Sequence, residues 1–242
     1  MVDMVKKKGA VIGIIPARGG SKRIHKKNII PFADGTPMIC RTIQAALESG
    51  IIDTVLVSTD DEEIAEISRK AGAEVPFLRT SAKDDFAPVS EATLSALNEY
   101  EQLTGKKFKT VIQLMANCPL RTSQDIKDQY LDFLKKPSLS SISSFKYGWM
   151  NPWWGHKTNE EGIAKAVFPK RIRFKRSQDL ETLFCPTGAT WISDTKQLRK
   201  YISFYTPRYR FFPISWQSAI DIDDLEDLEM AEAIWHMQQT KK

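Results

Sequence analysis

A loop dense in cations follows the first apolar run of the sequence. The stretch IIPARGGSKRIHKKN, residues 14–28, places five lysines and arginines around Gly19 and Gly20. Two glycines permit φ > 0 and let backbone N–H groups approach phosphate oxygens closely, while the cations supply the opposite charge. The segment matches neither the GxGxxG nor the GxxxxGK[ST] pattern. It predicts a polyphosphate site of another kind, and the alternative is a solvated charged turn.

A run of carboxylates near the other end of the chain is the second chemical feature. In AIDIDDLEDLE, residues 219–229, an extended backbone would point Asp221 and Asp223 to the same side, with Cα atoms about 6–7 Å apart. Two such carboxylates suit Mg²⁺ that also binds substrate phosphates. The alternative is that Asp223 or Asp224 caps the helix that begins near Leu225.

The elements that must position these residues alternate along the first half of the chain. Apolar, β-branched runs at residues 10–17, 54–59 and 109–115 predict buried strands. Helical patterns follow them at residues 37–49, 60–72 and 122–134, with a short extended piece at 75–78 and a further helix at 90–100. The alternation predicts an α/β fold of three α/β/α layers, in which ligands bind at the carboxyl ends of the strands. The cationic loop lies at that edge.

The alternation stops after residue 135. Serines and the segment WMNPWWGH occupy much of residues 136–184, which predicts an inserted, β-rich arm that packs on another subunit. Strands return at residues 187–193 and 210–215, and an amphipathic helix at 225–239 closes the chain. We therefore expect a single domain, 1–242, with one inserted arm.

Composition narrows the functional classes. The 242 residues carry a net charge of +5 with 42% hydrophobic and 27% charged residues, which is typical of a globular protein. The excess of cations lies in residues 18–27 and 165–176, which favours local anion sites over nucleic-acid binding. No window approaches about 18 apolar residues, so no membrane span is expected. The three cysteines lack metal or disulfide spacing, which indicates reduced thiols and a cytoplasmic protein.

Six motifs, in this order, carry a resemblance to a known family. They are IPARxxSKxxxxKN at residues 15–28, VSTD at 57–60, EVPFLR at 74–79, PLR at 119–121, PTGA at 186–189 and IDID at 220–223. With them the chain resembles, along nearly its whole length, the CMP-sialic acid synthetases, also called acylneuraminate cytidylyltransferases. SKRI and EVPFLR resemble the pseudaminic acid branch. The chain departs from the family pattern at five positions, which are Arg23 for glycine, His25 for proline, Met115 for glutamine, Cys185 for arginine and Thr187 for asparagine.

The resemblance implies a fold like that of the nucleotide-diphospho-sugar transferases and the transfer of CMP from CTP to the anomeric hydroxyl of a nonulosonic acid. It implies Mg²⁺ or Mn²⁺ as the cofactor and a homodimer, without nucleic-acid or membrane partners. The residues it indicates are Arg18, Lys27 and Asp221 for catalysis; Arg18, Gly19, Gly20, Ser21, Lys22, Asn28, Arg79 and Asp85 for the nucleotide; Gln113, Arg176, Thr187 and Gly188 for the sugar; and Asp221 and Asp223 for the metal.

Two other functions remain open from the sequence. Nucleotidyl transfer to a sugar 1-phosphate would use the same fold, although its usual GxGTRxxP-type loop is absent. A non-enzymatic protein that binds polyanions or nucleic acid would instead show salt-dependent binding without a preference for CTP or a divalent metal.

Overall fold

The core of the protein is a mixed sheet of six strands. The computed structural model describes residues 9–80, 88–169 and 176–240. The strands are β1 (Val11–Pro16), β2 (Thr54–Ser58), β3 (Thr110–Gln113), β4 (Ser140–Lys146), β5 (His156–Thr158), β6 (Ala164–Ala166), β7 (Phe184–Asp194) and β8 (Tyr209–Pro213). The main sheet has the order β2-β1-β3-β7-β4-β8, and β5 pairs with β6 in a separate hairpin. Only β7 runs antiparallel to its neighbours among the strands of the main sheet.

Helices cover both faces of this sheet. They are α1 (Met38–Glu48), α2 (Glu62–Lys70), α3 (Val89–Thr104), α4 (Ser123–Lys135), α5 (Thr195–Tyr201) and α6 (Leu225–Gln239). Ile43, Ile64 and Tyr130 of α1, α2 and α4 pack in the apolar cluster on one face. Tyr100 of α3 and Leu198 of α5 pack in the cluster on the other face. This is the three-layer α/β/α arrangement with a mostly parallel sheet that the sequence predicts.

Side-chain caps define where the helices start. The Thr122 hydroxyl and the Asp125 carboxylate form a capping box at α4, and Asp224 forms one with Asp227 at α6. Of the two candidates for the cap of α6, the structure therefore uses Asp224. Asp223 is left available for another role.

The main sheet extends into the segment that the sequence predicts to be an insertion. β4 lies between β7 and β8, so residues 140–146 of the predicted arm belong to the main sheet. Four serines of β4 are buried, and the Ser143 hydroxyl donates to the Thr187 carbonyl at 3.0 Å. A serine-rich composition by itself suggests a loop. Small polar residues can nevertheless occupy a core strand when they find hydrogen-bond partners there.

One predicted extended piece is not a strand. Residues 75–78 lie outside every strand, and the only pairing nearby is an isolated bridge between Glu74 and Leu56. None of the helices within the described ranges is long and apolar enough to cross a membrane.

A third apolar cluster joins the two ends of the chain. Ile24 and Phe32, from the loop after β1, pack with Ile220 and Ile222, and Ile234 of α6 completes the contact. The cluster places the cationic loop and the aspartate-rich segment side by side at the carboxyl end of β1.

Candidate active site

The loop that follows β1 is held by the residues that follow β2. The Ala17 N–H donates to the Ser58 carbonyl at 2.9 Å, and the Gly19 N–H donates to the Asp60 carboxylate at 2.9 Å. Asp61, the N-cap of α2, packs directly against Gly19, where an added Cβ would lie 2.7 Å from Asp61 Oδ2. Glycine is needed at position 19 because this contact leaves no room for a side chain.

The expected conformation of the two glycines is wrong. Neither Gly19 nor Gly20 has a positive φ, and the Gly19 N–H already binds Asp60. The left-handed residue of this loop is Lys26, with a φ of 49°, and its ammonium group pairs with Glu63 on α2. One of the five cations therefore faces away from the site, because the backbone turns there.

The remaining cations of the loop face a single cleft of about 570 Å³ at the carboxyl ends of the parallel strands. The Asn28 amide is buried beneath the loop and donates to the Arg18 carbonyl at 3.0 Å. The cleft is lined by Pro16, Arg18, Ser21, Lys22, Arg23, Ile24, Lys27, Asn28, Arg79, Val89, Ala92, Met115, Asn117, Asp221 and Asp223.

The opposite wall of the cleft is the segment before α6. Residues 220–223 are not part of a strand, but their side chains alternate as the sequence predicts. Ile220 and Ile222 are buried in the third apolar cluster, whereas Asp221 and Asp223 line the cleft. Hydrophobic burial of the two isoleucines thus directs both carboxylates towards the cationic loop.

Lys27 joins the two walls. Its Nζ donates to the Ile222 carbonyl at 2.7 Å and to Asp223 Oδ1 at 2.8 Å. Arg23 binds the other oxygen of the Asp223 carboxylate at 2.9 Å. The two sequence motifs that are farthest apart therefore meet in one site.

Asn117 fixes the backbone between the two aspartates. Its carbonyl accepts from the Ile222 N–H at 2.9 Å, and its side-chain Nδ2 donates to the Ile222 carbonyl at 3.1 Å. The side chain is buried, and its Oδ1 has no hydrogen-bond partner among the described residues. Sequence reasoning missed Asn117, although a polar residue just beyond the end of a parallel strand is a signal for a site residue.

The two aspartates have different electrostatic environments. Solvent in the cleft reaches Asp221, but protein surrounds it on its other sides; this desolvation, together with the charge of Asp223, raises the pKa of Asp221 to about 6. Partial burial also opposes ionisation of Asp223, but Lys27 and Arg23 outweigh it and lower the pKa of Asp223. Asp223 is thus held as a carboxylate, whereas Asp221 keeps its proton to a higher pH than an ordinary aspartate does.

Arg79 adds a buried cation to the cleft. It is 5% exposed, and its Nε has no hydrogen-bond partner among the described residues. Burial lowers the pKa of Arg79, and the charge of Arg18 adds to that effect, while Asp60 opposes it. A buried guanidinium near a second cation indicates a site for an anion or a hydrogen-bonding base.

The four residues predicted for the sugar do not line the cleft. Gln113 is fully buried, and its Oε1 accepts a hydrogen bond from Thr93 at 2.7 Å. The Thr187 hydroxyl donates to the Ala219 carbonyl at 2.9 Å, and Arg176 is exposed and paired with Asp179.

Gly188 acts on the cleft indirectly. A Cβ there would lie 2.8 Å from Met115 Cγ, so the glycine makes room for Met115, which does line the cleft. Asp85, predicted for the nucleotide, lies outside the described residues.

The carboxylate pair fits a hard divalent cation. Within the described ranges no group of three or more His, Cys, Asp or Glu residues could hold a metal, so any ion here would take two protein carboxylates and further oxygens from elsewhere. That donor set is the one Mg²⁺ prefers when substrate phosphates and water complete its shell. The unpartnered Asn117 Oδ1 beside the pair is consistent with a hydrated ion.

Solved structures show the same fold. The structure of CMP:2-keto-3-deoxy-manno-octonic acid synthetase complexed with CTP superposes with a TM-score of 0.70 and 16% sequence identity, over 95% of this chain and 99% of that chain. A cytidylyltransferase from Leptospira borgpetersenii superposes with a TM-score of 0.57 and 19% identity, over 92% of this chain and 85% of that chain. The expected likeness to nucleotide-diphospho-sugar transferases is thereby confirmed at the level of the fold.

Sequence comparison identifies the family. The model of the family described as "Cytidylyltransferase" matches residues 12–149. The pseudaminic acid cytidylyltransferase of Campylobacter jejuni is 34% identical over 225 residues, 92% of this chain and 94% of the relative. The CMP-N,N'-diacetyllegionaminic acid synthase of Legionella pneumophila is 30% identical over 238 residues, 95% of this chain and 97% of the relative. The chain therefore belongs to the cytidylyltransferase family, within the group that includes the CMP-sialic acid synthetases.

Proposed function

We propose that this enzyme transfers CMP from CTP to the anomeric hydroxyl of a nonulosonic acid. The observation that carries the proposal is the contact of Lys27 with both the Ile222 carbonyl and Asp223, which brings the cationic loop and the carboxylate pair to one cleft. Phosphate-binding cations and metal-binding carboxylates are both needed for nucleotidyl transfer, and the names of the relatives supply the class of acceptor.

The reaction requires stabilisation of charge rather than a covalent intermediate. The anomeric oxygen forms a bond to the α-phosphorus of CTP, the bond from that phosphorus to the oxygen of the β-phosphate breaks, and pyrophosphate leaves with the electron pair. The hydroxyl proton passes to solvent. Arg18 and Lys27 offset the charge that develops on the phosphates, and Arg79 and Asn28 hold the nucleoside end.

Asp221 and Asp223 are the residues that would hold a divalent cation, which we take to be Mg²⁺ or Mn²⁺. Such an ion would supply positive charge to the phosphate oxygens and acidify a nearby hydroxyl. The raised pKa of Asp221 supports this role, because the carboxylate lacks a full counterion in the protein alone.

The acceptor end of the cleft is proposed to lie at Met115. This side chain stands where the family glutamine would be and lines the cleft with Val89 and Ala92 of α3. Gly188 contributes by leaving space for Met115. An apolar wall would pack against the carbon skeleton of the sugar, while the cations opposite attract its carboxylate.

We further propose a homodimer formed through the arm. Trp149 is 86% exposed, Met150 67% and Ile163 62%, and all three lie in the segment between β4 and β7. Large apolar groups exposed together on one segment are typical of an interface. Analytical ultracentrifugation tests this proposal. The double variant Trp149→Ser, Met150→Ser should sediment more as a monomer than the wild type does. A wild type that sediments as a monomer, with the same coefficient as the double variant, would refute the dimer.

Pyrophosphate release tests the catalytic proposal. The purified chain with CTP and Mg²⁺ should release pyrophosphate only when a sialic, legionaminic or pseudaminic acid is present, and the product should have the mass of the CMP-sugar. Release with glucose 1-phosphate, and none with any of the three keto acids, would show nucleotidyl transfer to a sugar phosphate instead. Binding of oligonucleotides without stabilisation by CTP and Mg²⁺ would favour the polyanion-binding alternative.

A further inference from the structure

Both oxygens of the Asp223 carboxylate bind a protein cation. Oδ1 accepts from Lys27 Nζ at 2.8 Å, and Oδ2 lies 2.9 Å from a terminal nitrogen of Arg23. A carboxylate that ligates a metal must offer at least one oxygen to it. Each oxygen retains a second lone pair, but two protein cations at the carboxylate repel a third, so release of one of them favours the metal role proposed above.

The two cations are held very differently. The Lys27 side chain is 15% exposed and has a second hydrogen bond, to the Ile222 carbonyl. The Arg23 side chain is 64% exposed, and Asp223 is the partner that the described residues provide for it. Exposed ion pairs contribute little, since their attraction is screened and their side chains lose freedom. Arg23 can leave without breaking any buried contact, and Lys27 cannot.

The cleft also offers Arg23 a second binding partner, the triphosphate. Arg23 lines the same cleft as Arg18 and Lys22, where the triphosphate would lie. A guanidinium can bind phosphate oxygens through two paired hydrogen bonds, whereas Arg23 makes a single exposed ion pair with Asp223.

We infer that Arg23 takes the place of the metal in the free enzyme. It pairs with Asp223 there, is displaced when the metal binds, and then binds the triphosphate. The inference rests on the metal site of the proposed function and adds an exchange of partners at position 23, where the family pattern has glycine. Arg23 acts on the metal through Asp223 and is thus a positioning residue for the metal and a binding residue for the nucleotide.

The exchange predicts effects of opposite sign in one variant. Arg23→Gln keeps a polar, although shorter, side chain and removes the competing charge. Without nucleotide it should bind Mn²⁺ about threefold or more tightly than the wild type, since an exposed ion pair no longer has to be broken. With saturating Mg²⁺ it should bind CTP about threefold or more weakly, because a phosphate contact is lost.

The experiment measures the two affinities separately. Electron paramagnetic resonance follows free Mn²⁺ during titration of the protein at 0.15 M salt, a concentration that screens long-range charge effects. Calorimetry gives the CTP affinity with Mg²⁺ and no acceptor sugar. Lys22→Gln is the matched control, since Lys22 is the neighbouring cation of the same cleft, whereas Arg23 and Lys27 are the cations that contact Asp223. Its Mn²⁺ affinity should change less than that of Arg23→Gln.

Asp223→Asn separates failure of the inference from failure of the metal site. If Asp223→Asn weakens Mn²⁺ binding but Arg23→Gln does not tighten it beyond Lys22→Gln, the metal site stands and the exchange is overturned. If Arg23→Gln weakens both ligands, Arg23 is a simple structural support and the exchange is again overturned. If Asp223→Asn leaves Mn²⁺ binding unchanged, the metal assignment itself is wrong, and the exchange falls with it.

Discussion

Lys27 and Asp223 are 196 positions apart in the sequence, and their side chains lie 2.8 Å from each other in the folded chain. The contact is possible because Ile24 and Phe32 pack with Ile222 in the apolar cluster beneath the cleft. The cluster therefore brings together the charged groups of both walls.

Gly19 and Gly20 should differ sharply in their tolerance of alanine. Gly19→Ala would place a Cβ 2.7 Å from Asp61 Oδ2, so the loop must shift, and we expect kcat/KM for CTP to fall about tenfold or more. Gly20 has open space around its Cβ position and no positive φ, so Gly20→Ala should stay within about threefold of the wild type. Equal losses in steady-state kinetics would contradict this explanation of the loop.

Lys27 and Lys26 form a second matched pair. Lys27→Ala removes the cation that bridges the loop and the Ile222 carbonyl, and kcat should fall about 10²- to 10³-fold with a smaller rise in KM for CTP. Lys26 pairs with Glu63 away from the cleft, so Lys26→Ala should change kcat by less than about twofold. A Lys27→Ala effect on KM alone would show that Lys27 binds the ground state only.

Asn117 should support catalysis by orienting the backbone between the carboxylates. Asn117→Ala removes the donor to the Ile222 carbonyl, and the loss of such an outer contact of a metal site should lower activity or metal affinity about 10- to 100-fold. Ser143→Ala, which removes a buried hydrogen bond to the Thr187 carbonyl in β7, is the control for stability. If both variants lose similar stability and similar activity, Asn117 has no specific role in the site.

Asp221 should destabilise the metal-free protein at neutral pH. Its folded pKa of about 6 lies above the usual 3.8, so the folded state binds more protons in that interval and stability falls as pH rises through it. In the presence of a chelator at pH 7.5, Asp221→Asn should raise Tm by about 1–3 °C, a small gain because solvent reaches the group. The gain should shrink at pH 5, where the wild-type carboxyl is largely protonated.

Scanning calorimetry at pH 7.5 without the chelator supplies the complementary result. Added CTP and Mg²⁺ should raise Tm of the wild type and have much less effect on Asp221→Asn. A variant that is less stable than the wild type without metal would contradict the electrostatic explanation.

Much of this site could be predicted from sequence because its parts are local patterns. The alternation of Ile220, Asp221, Ile222 and Asp223 indicates which side chains are buried, and the apolar runs of β1 and β2 indicate a parallel sheet with a binding edge. The family motifs then identify the chemistry.

Other parts depend on tertiary contacts that local patterns do not contain. β3 ends at Gln113, so strict alternation does not carry on to Met115, and Thr93 of α3 retains the Gln113 amide in the core. Lys26 turns outward because of a positive φ that is rare for lysine. The Ser140 and Ser143 hydroxyls of β4 find their partners in β7, a strand more than thirty residues later, so their core position is not visible locally.

A crystal structure with CTP and Mg²⁺ is the most direct test of the central claim. It should show the triphosphate in the cleft between Arg18 and Lys27 on one side and Asp221 and Asp223 on the other, with the metal bound to at least one of the two carboxylates. CTP bound away from this cleft, or a metal site that includes neither aspartate, would contradict the account.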